Sequence, residues 1–287
     1  MSQHKDSQGF ITFAQNTDQV DYLQLAYVQC MSIKLTQKIN KYAVIVDKKT
    51  ESQIEQQHRE MFDYIIVLDN DTTTDFARFN NEWQVFNLTP FKETVKLESD
   101  LLFTRSIDHW WNAFRLRDIV LSSGCKNYQG LKSNVRFYRK LFDDNSLPDV
   151  YNGLMYFRYT KIAYDFFNTA KQIFEEYPAV RDSALLNCRE ISPSTDVVYA
   201  VVASIIGEEN CTLPAADFIN FVHMKPQINN NRHERWQDDF ITESDQGMIR
   251  VNMYNQYDPF HYYDKSYVTE ELINEYRTRC SKILDRS

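Results

Sequence analysis

Glycine and proline are scarce, at 6 and 7 of 287 residues. That excludes collagen-like and Gly/Pro-rich disordered chains. It also leaves no GxGxxG fingerprint and no GxxxxGK[ST] loop, so a Rossmann dehydrogenase or a P-loop NTPase has no support. No apolar run reaches the roughly 18 residues of a membrane span. The opening stretch MSQHKDSQGF has no apolar h-region, which argues against a secretory signal. Cysteine is sparse and odd in number: Cys30, Cys125, Cys188, Cys211 and Cys280 form no CxxC pair. Read as reduced thiols, they give no zinc motif. These absences predict a soluble, cytoplasmic chain with no membrane partner.

What is present is ordinary for a globular protein, with 43% apolar and 25% charged residues. The length allows one large α/β domain or two small ones. The net charge of −8 is unevenly spread. Between Arg105 and Lys140, eight basic residues (Arg105, Arg115, Arg117, Lys126, Lys132, Arg136, Arg139 and Lys140) meet only Asp108 and Asp118. A solvated helix face and a polyanion-binding surface both fit that imbalance.

Hydrophobic patterning predicts strands at residues 10–13, 42–46, 64–68, 94–97, 154–157 and 218–222. It predicts helices over 21–35, 50–61, 161–177, 196–206 and 270–284, with Gly207 as a stop. Alternating strands and helices imply βαβ units and a mostly parallel sheet flanked by helices. Ligands of such sheets bind beyond the carboxyl ends of the strands. The residues after each strand are therefore the first candidates: 14–17, Asp47 and 98–100. After about Lys225 the chain turns Asn/Asp/Tyr-rich and poorly periodic. Residues 1–226 are expected to form a catalytic domain, and 227–287 an extension that packs on it or covers it.

Lys96-Leu97-Glu98-Ser99-Asp100 puts two carboxylates at i and i+2 just past a strand. Two converging oxygens suit a hard divalent cation such as Mn²⁺ or Mg²⁺; the same triplet also serves as an Asx-type turn. His223 ends another strand, and Lys225 offers a point charge for a phosphate. Asn152-Gly153 is a turn signal ahead of a strand. Asp196 sits at a helix N-terminus, and Tyr22 lies in the first turn of a helix.

In this order the segments resemble the GT-A glycosyltransferases, in particular the glycogenin-like retaining enzymes that use UDP-sugars. The matching stretches are Ile11-Thr12-Phe13-Ala14-Gln15-Asn16 with Tyr22, Thr89-Pro90-Phe91 leading to Glu98-Ser99-Asp100, Asn152-Gly153, Asp196, and His223-Met224-Lys225-Pro226. Together they span residues 9–226. The resemblance implies a GT-A, Rossmann-like fold and a UDP-sugar donor with Mn²⁺ or Mg²⁺. It implies metal ligation by Glu98, Asp100 and His223. Donor binding would fall to Ala14, Gln15, Asn16, Tyr22, Asp47, Gly153 and Lys225. Asp196 and Asn152 would be the catalytic pair beside the sugar. Three departures stand out: Glu98 replaces an Asp, the Asn-Gly segment is one residue short, and the His-to-Lys spacing is compressed.

The acceptor is expected between residues 101 and 151. There the basic residues interleave with aromatics, as in a groove that tracks a phosphate backbone. Trp110, Trp111, Arg115, Arg117 and Arg136 are its candidates. Some bacteriophage enzymes with this chemistry place glucose or arabinose on hydroxymethylated cytosines, which requires extruding the base from duplex DNA. Phage DNA is accordingly the expected acceptor, with the host cytoplasm as location. A glycan, lipopolysaccharide or protein acceptor, and a non-catalytic nucleotide- or nucleic-acid-binding module, remain the alternatives.

Overall fold

The computed structural model describes residues 6–73, 79–213 and 218–284. A six-stranded sheet forms the centre, built from β1 (Asp6–Ala14), β2 (Tyr42–Val46), β3 (Tyr64–Val67), β4 (Phe91–Leu97), β6 (Ile119–Ser123) and β7 (Val150–Arg158). Its order is β3-β2-β1-β4-β7-β6. The first four strands run parallel, and β7 runs antiparallel to both β4 and β6. Helices cover both faces, so β2 reads YAVIV and the middle of β1 is nearly as apolar. Phe10, Val44, Val95 and Tyr156 point into one core layer, shared with the helix Tyr22–Thr36 and with Trp111 and Phe114. Ile11, Ala43, Ile45 and Met155 point into the opposite core layer, which the helices Lys161–Glu175 and Thr195–Ile206 share. This is the α/β class that the alternating pattern predicts.

Three further strands matter more for the site. β5 (Leu101–Leu102), β8 (Val222–His223) and β12 (Phe260–His261) form a small sheet with β12 in the middle. The remaining strands, β9 (Thr242–Asp245), β10 (Met248–Val251) and β11 (Tyr254–Asn255), make an antiparallel meander. The closing helix Glu270–Leu284 lies against the helix Tyr22–Thr36.

Several expected elements change. The stretch expected as one helix over 50–61 is two short helices, Lys48–Glu51 and Gln56–Met61. Asp47 caps the first, accepting from the Thr50 N–H at 2.6 Å. The strand expected at 218–222 pairs only at Val222–His223; Asn220 Oδ1 instead accepts from the Phe221 N–H at 2.8 Å, drawing that backbone into a local loop. β6 was not anticipated, because its short apolar run is hidden among the bases around it.

Candidate active site

The carboxyl ends of β1, β2 and β4 open onto a cleft of about 970 Å³. Ligand sites of open α/β sheets fall at this position, and the volume lies in the range of small-molecule sites. Glu98, Ser99 and Asp100 form its floor at the turn between β4 and β5. Gln29, fully buried on the helix Tyr22–Thr36, pins that turn from behind. Its Nε2 donates to the carbonyls of Glu98 (2.6 Å) and Leu101 (2.8 Å), and its Oε1 accepts from the Tyr42 hydroxyl at 2.8 Å.

Strand register brings an imidazole to the turn. β12 pairs antiparallel with β5, so His261 sits opposite Leu101, and parallel with β8, so His261 sits opposite His223. His261 Nε2 lies 2.6 Å from Glu98 Oε2 and 3.1 Å from Asp100 Oδ1. Lys265 Nζ lies 2.5 Å from Asp100 Oδ2. Burial alone would lower the His261 pKa, but Asp100 and Glu98 raise it to about 9. Burial pushes Asp100 up, yet the charges of His261 and Lys265 hold it well below the usual carboxylate range. Burial and the neighbouring His261 charge drive His223 well below an ordinary imidazole.

Glu98, Asp100 and His261 each offer a ligand atom within 4.8 Å of the others. The two carboxylate oxygens suit a hard divalent cation, and the imidazole nitrogen favours a transition ion such as Mn²⁺ over Mg²⁺. These residues fit a divalent cation. His223, expected as the third ligand, touches the group through His261: the two Nδ1 atoms are 2.8 Å apart. His261 and Lys265 escape sequence reading because they fall in the aperiodic stretch after Lys225. The available signal was a second apolar-His segment, Phe260-His261-Tyr262, with a lysine close behind.

Two buried cations, each ion-paired, support the wall beside this group. Lys96, 1% exposed, is ion-paired with Glu82 and donates to Asn152 Oδ1 at 2.9 Å. Burial raises the Glu82 pKa in spite of Lys96. Arg139 Nη1 meets Asp196 Oδ2 at 3.0 Å, and its guanidinium also pairs with Asp149. It lies between the rings of Phe142 and Tyr151, 3.5 and 4.1 Å from their centroids. Asp196 Oδ1 accepts from the Asn152 N–H at 2.7 Å. A buried ion must be paired and hydrogen-bonded to persist, and both pairs meet that requirement at Asn152.

The remaining candidates divide. Gln15, Asn16, Tyr22, Asp47, Gly153, Asp196 and Lys225 line the cleft, whereas Ala14 and Asn152 are buried, at 0% and 2% exposure. Asn16 is already committed: its Nδ2 donates to Asp21 (2.9 Å) and Gln53 (2.6 Å), and its Oδ1 accepts from the Leu23 N–H (2.8 Å). Gly153 makes room for a ring, since a Cβ there would stand 2.9 Å from Phe221 Cζ.

The five acceptor candidates are not brought together at the cleft. Trp110 and Trp111 are buried in the core, Trp111 edge-on to Phe10 and Tyr156. Arg115 pairs with Glu93, Arg117 donates to the Glu209 carbonyl at 2.8 Å, and Arg136 pairs with Asp143 and Asp149. The acids that neutralise Arg115 and Arg136 lie outside the basic stretch, so local charge counting overlooks them.

Fold and site together define an α/β chain whose strand-end cleft carries an acid–imidazole–lysine group. No family model and no curated protein matches the chain. Solved structures similar to it include mouse xyloside xylosyltransferase 1 in its apo form, at 12% identity and TM-score 0.45, with 72% of this chain and 85% of that one covered. Another is the glycosyltransferase GlyE of Streptococcus pneumoniae, at 11% identity and TM-score 0.44, with coverage of 73% and 46%. A third is the galactosyltransferase LgtC in complex with donor and acceptor sugar analogues, at 11% identity and TM-score 0.40, with coverage of 60% and 66%. Among the described residues no helix is long and apolar enough to cross a membrane.

Proposed function

We propose that the chain is a GT-A-type glycosyltransferase that takes a sugar from a UDP-sugar and passes it to an acceptor hydroxyl with a divalent cation, Mn²⁺ or Mg²⁺. The observation that carries the reading is the convergence of Glu98, Asp100 and His261 beside Lys265, on the floor of a cleft at the carboxyl ends of β1, β2 and β4. Glu98, Asp100 and His261 would hold the cation, which offsets charge developing on the departing diphosphate.

The chain's own groups have separable tasks. Gln15, Tyr22 and Asp47 line the end of the cleft nearest β1 and β2, where the nucleoside would lie. Lys225 and Lys265 face the cleft as cations for the phosphates. Asp196 presents a carboxylate to the sugar, held in place by Arg139 and the Asn152 N–H. Retention of configuration belongs to the same reading. Phage DNA draws no support from the basic stretch, where Arg105, Arg115, Lys126, Arg136 and Arg139 are each ion-paired. The reading therefore ends at an acceptor hydroxyl.

A thermal-shift panel of UDP-sugars with and without Mn²⁺ tests the donor class, because a ligand that binds only the folded chain raises its melting temperature by mass action. A shift that requires both sugar nucleotide and cation, and is lost in Asp100→Ala, is the expected result. Equal melting with every donor would overturn the reading.

A further inference from the structure

We propose that Lys265 acts as a tethered counter-ion that makes cation binding conditional on the diphosphate: it occupies Asp100 in the free protein and leaves for a phosphate when nucleotide arrives. The inference rests on the nucleotide-diphosphate reading above and adds an order of events to it.

Three observations carry it. Lys265 Nζ contacts Asp100 Oδ2 at 2.5 Å while His261 Nε2 contacts Oδ1 at 3.1 Å, so both oxygens of this carboxylate are already engaged. Asp100 is buried, at 4% exposure, and has no bulk water to screen what sits on it. The Lys265 side chain is 31% exposed and borders the cleft. A lysine on a flexible four-carbon stem can therefore reorient toward a ligand without backbone movement.

Local backbone sets the starting position. Tyr263, between His261 and Lys265, has φ +60, a left-handed conformation that non-glycine residues seldom adopt. The turn brings Lys265 Nζ to 2.8 Å from the Tyr263 carbonyl, aimed at Asp100.

Charge counting gives the coupling. With His261 neutral as a ligand, Glu98 and Asp100 together balance one divalent cation, so Lys265 beside them is a surplus positive charge that would repel it. A diphosphate is multiply negative and converts that surplus into attraction. Free cation should therefore bind weakly, and cation with nucleotide should bind cooperatively, a coupling that acts equally on both ligands.

The test is a thermodynamic cycle on the full chain. Mn²⁺ affinity is measured with and without UDP for wild type, Lys265→Met and Lys265→Arg, by counting free Mn²⁺ in its paramagnetic resonance spectrum. Removing the charge should tighten Mn²⁺ binding without UDP by about tenfold or more and reduce the UDP enhancement by a similar factor. Lys265→Arg keeps the charge and should keep most of the enhancement, which separates the effect from damage to the fold. If UDP strengthens Mn²⁺ binding equally in wild type and Lys265→Met, the counter-ion role is overturned while the diphosphate reading stands. If UDP has no effect on Mn²⁺ in any of the three proteins, both are overturned.

Discussion

His223 and His261 face one another through their Nδ1 atoms at 2.8 Å. One nitrogen must donate and the other accept. His261 Nε2 points at two carboxylates, so Nδ1 is the nitrogen left to donate, whether Nε2 carries a proton or gives its lone pair to a cation. His223 is then the neutral acceptor, consistent with its strongly lowered pKa. His223 thus fixes the orientation of the His261 ring from outside the ligand group.

That assignment predicts a metal effect without loss of a ligand. His223→Leu removes the acceptor and leaves Glu98, Asp100 and His261 in place. Partners of metal-ligating imidazoles typically contribute 10–100-fold in affinity, so Mn²⁺ binding should weaken by roughly that range. Calorimetric titration reads it, and an unchanged affinity would show that the His261 ring is oriented without His223.

Gln29 is the corresponding test of the acid turn. Gln29→Leu leaves the carbonyls of Glu98 and Leu101 and the Tyr42 hydroxyl without their partner. Each buried group left unpaired costs about 1–3 kcal/mol, so stability to urea should fall by roughly 3 kcal/mol or more. Tyr42→Phe, which breaks only one of the three bonds, should cost less.

Gly153 predicts a packing clash. Gly153→Ala puts a methyl 2.9 Å from Phe221 Cζ, and overpacking of this kind costs about 1–3 kcal/mol. Adding Phe221→Leu should recover part of the lost melting temperature. Full stability in the single variant would mean that the ring moves freely.

Asp63 predicts a pH dependence. Burial pushes its carboxyl up, but hydrogen bonds from Lys34, Lys41 and the Tyr42 N–H outweigh that and lower it. A carboxyl lowered by folding stabilises the protein above its unfolded pKa of about 3.9 and loses that contribution as pH falls through the folded value. Asp63→Asn should therefore destabilise the chain at pH 7 by about 1–3 kcal/mol. The difference from wild type should shrink at pH 3. Urea unfolding at the two pH values checks it.

Much of the sheet was legible because β1, β2, β3 and β4 lie in a layered core, and burial on two sides writes short apolar runs into the sequence. The acid pair was legible for a related reason, since Glu98 and Asp100 directly follow such a run. His261 and Lys265 were not, because β12 is two residues long and its place is set by pairing with Leu101–Leu102 and Val222–His223. Pairing partners far apart in sequence leave no periodic trace. The basic stretch misled for the opposite reason. Its arginines looked unopposed locally, but Arg115 finds Glu93, and Arg136 finds Asp143 and Asp149 after folding.

The distance along the chain between Glu98 and His261 is 163 residues. A ribosome making this protein lays down two carboxylates early and their positive partners late. Until β12 inserts between β5 and β8, Asp100 has neither His261 nor Lys265 beside it. The nascent polypeptide therefore cannot bring His261 to the two acids until synthesis has passed β12.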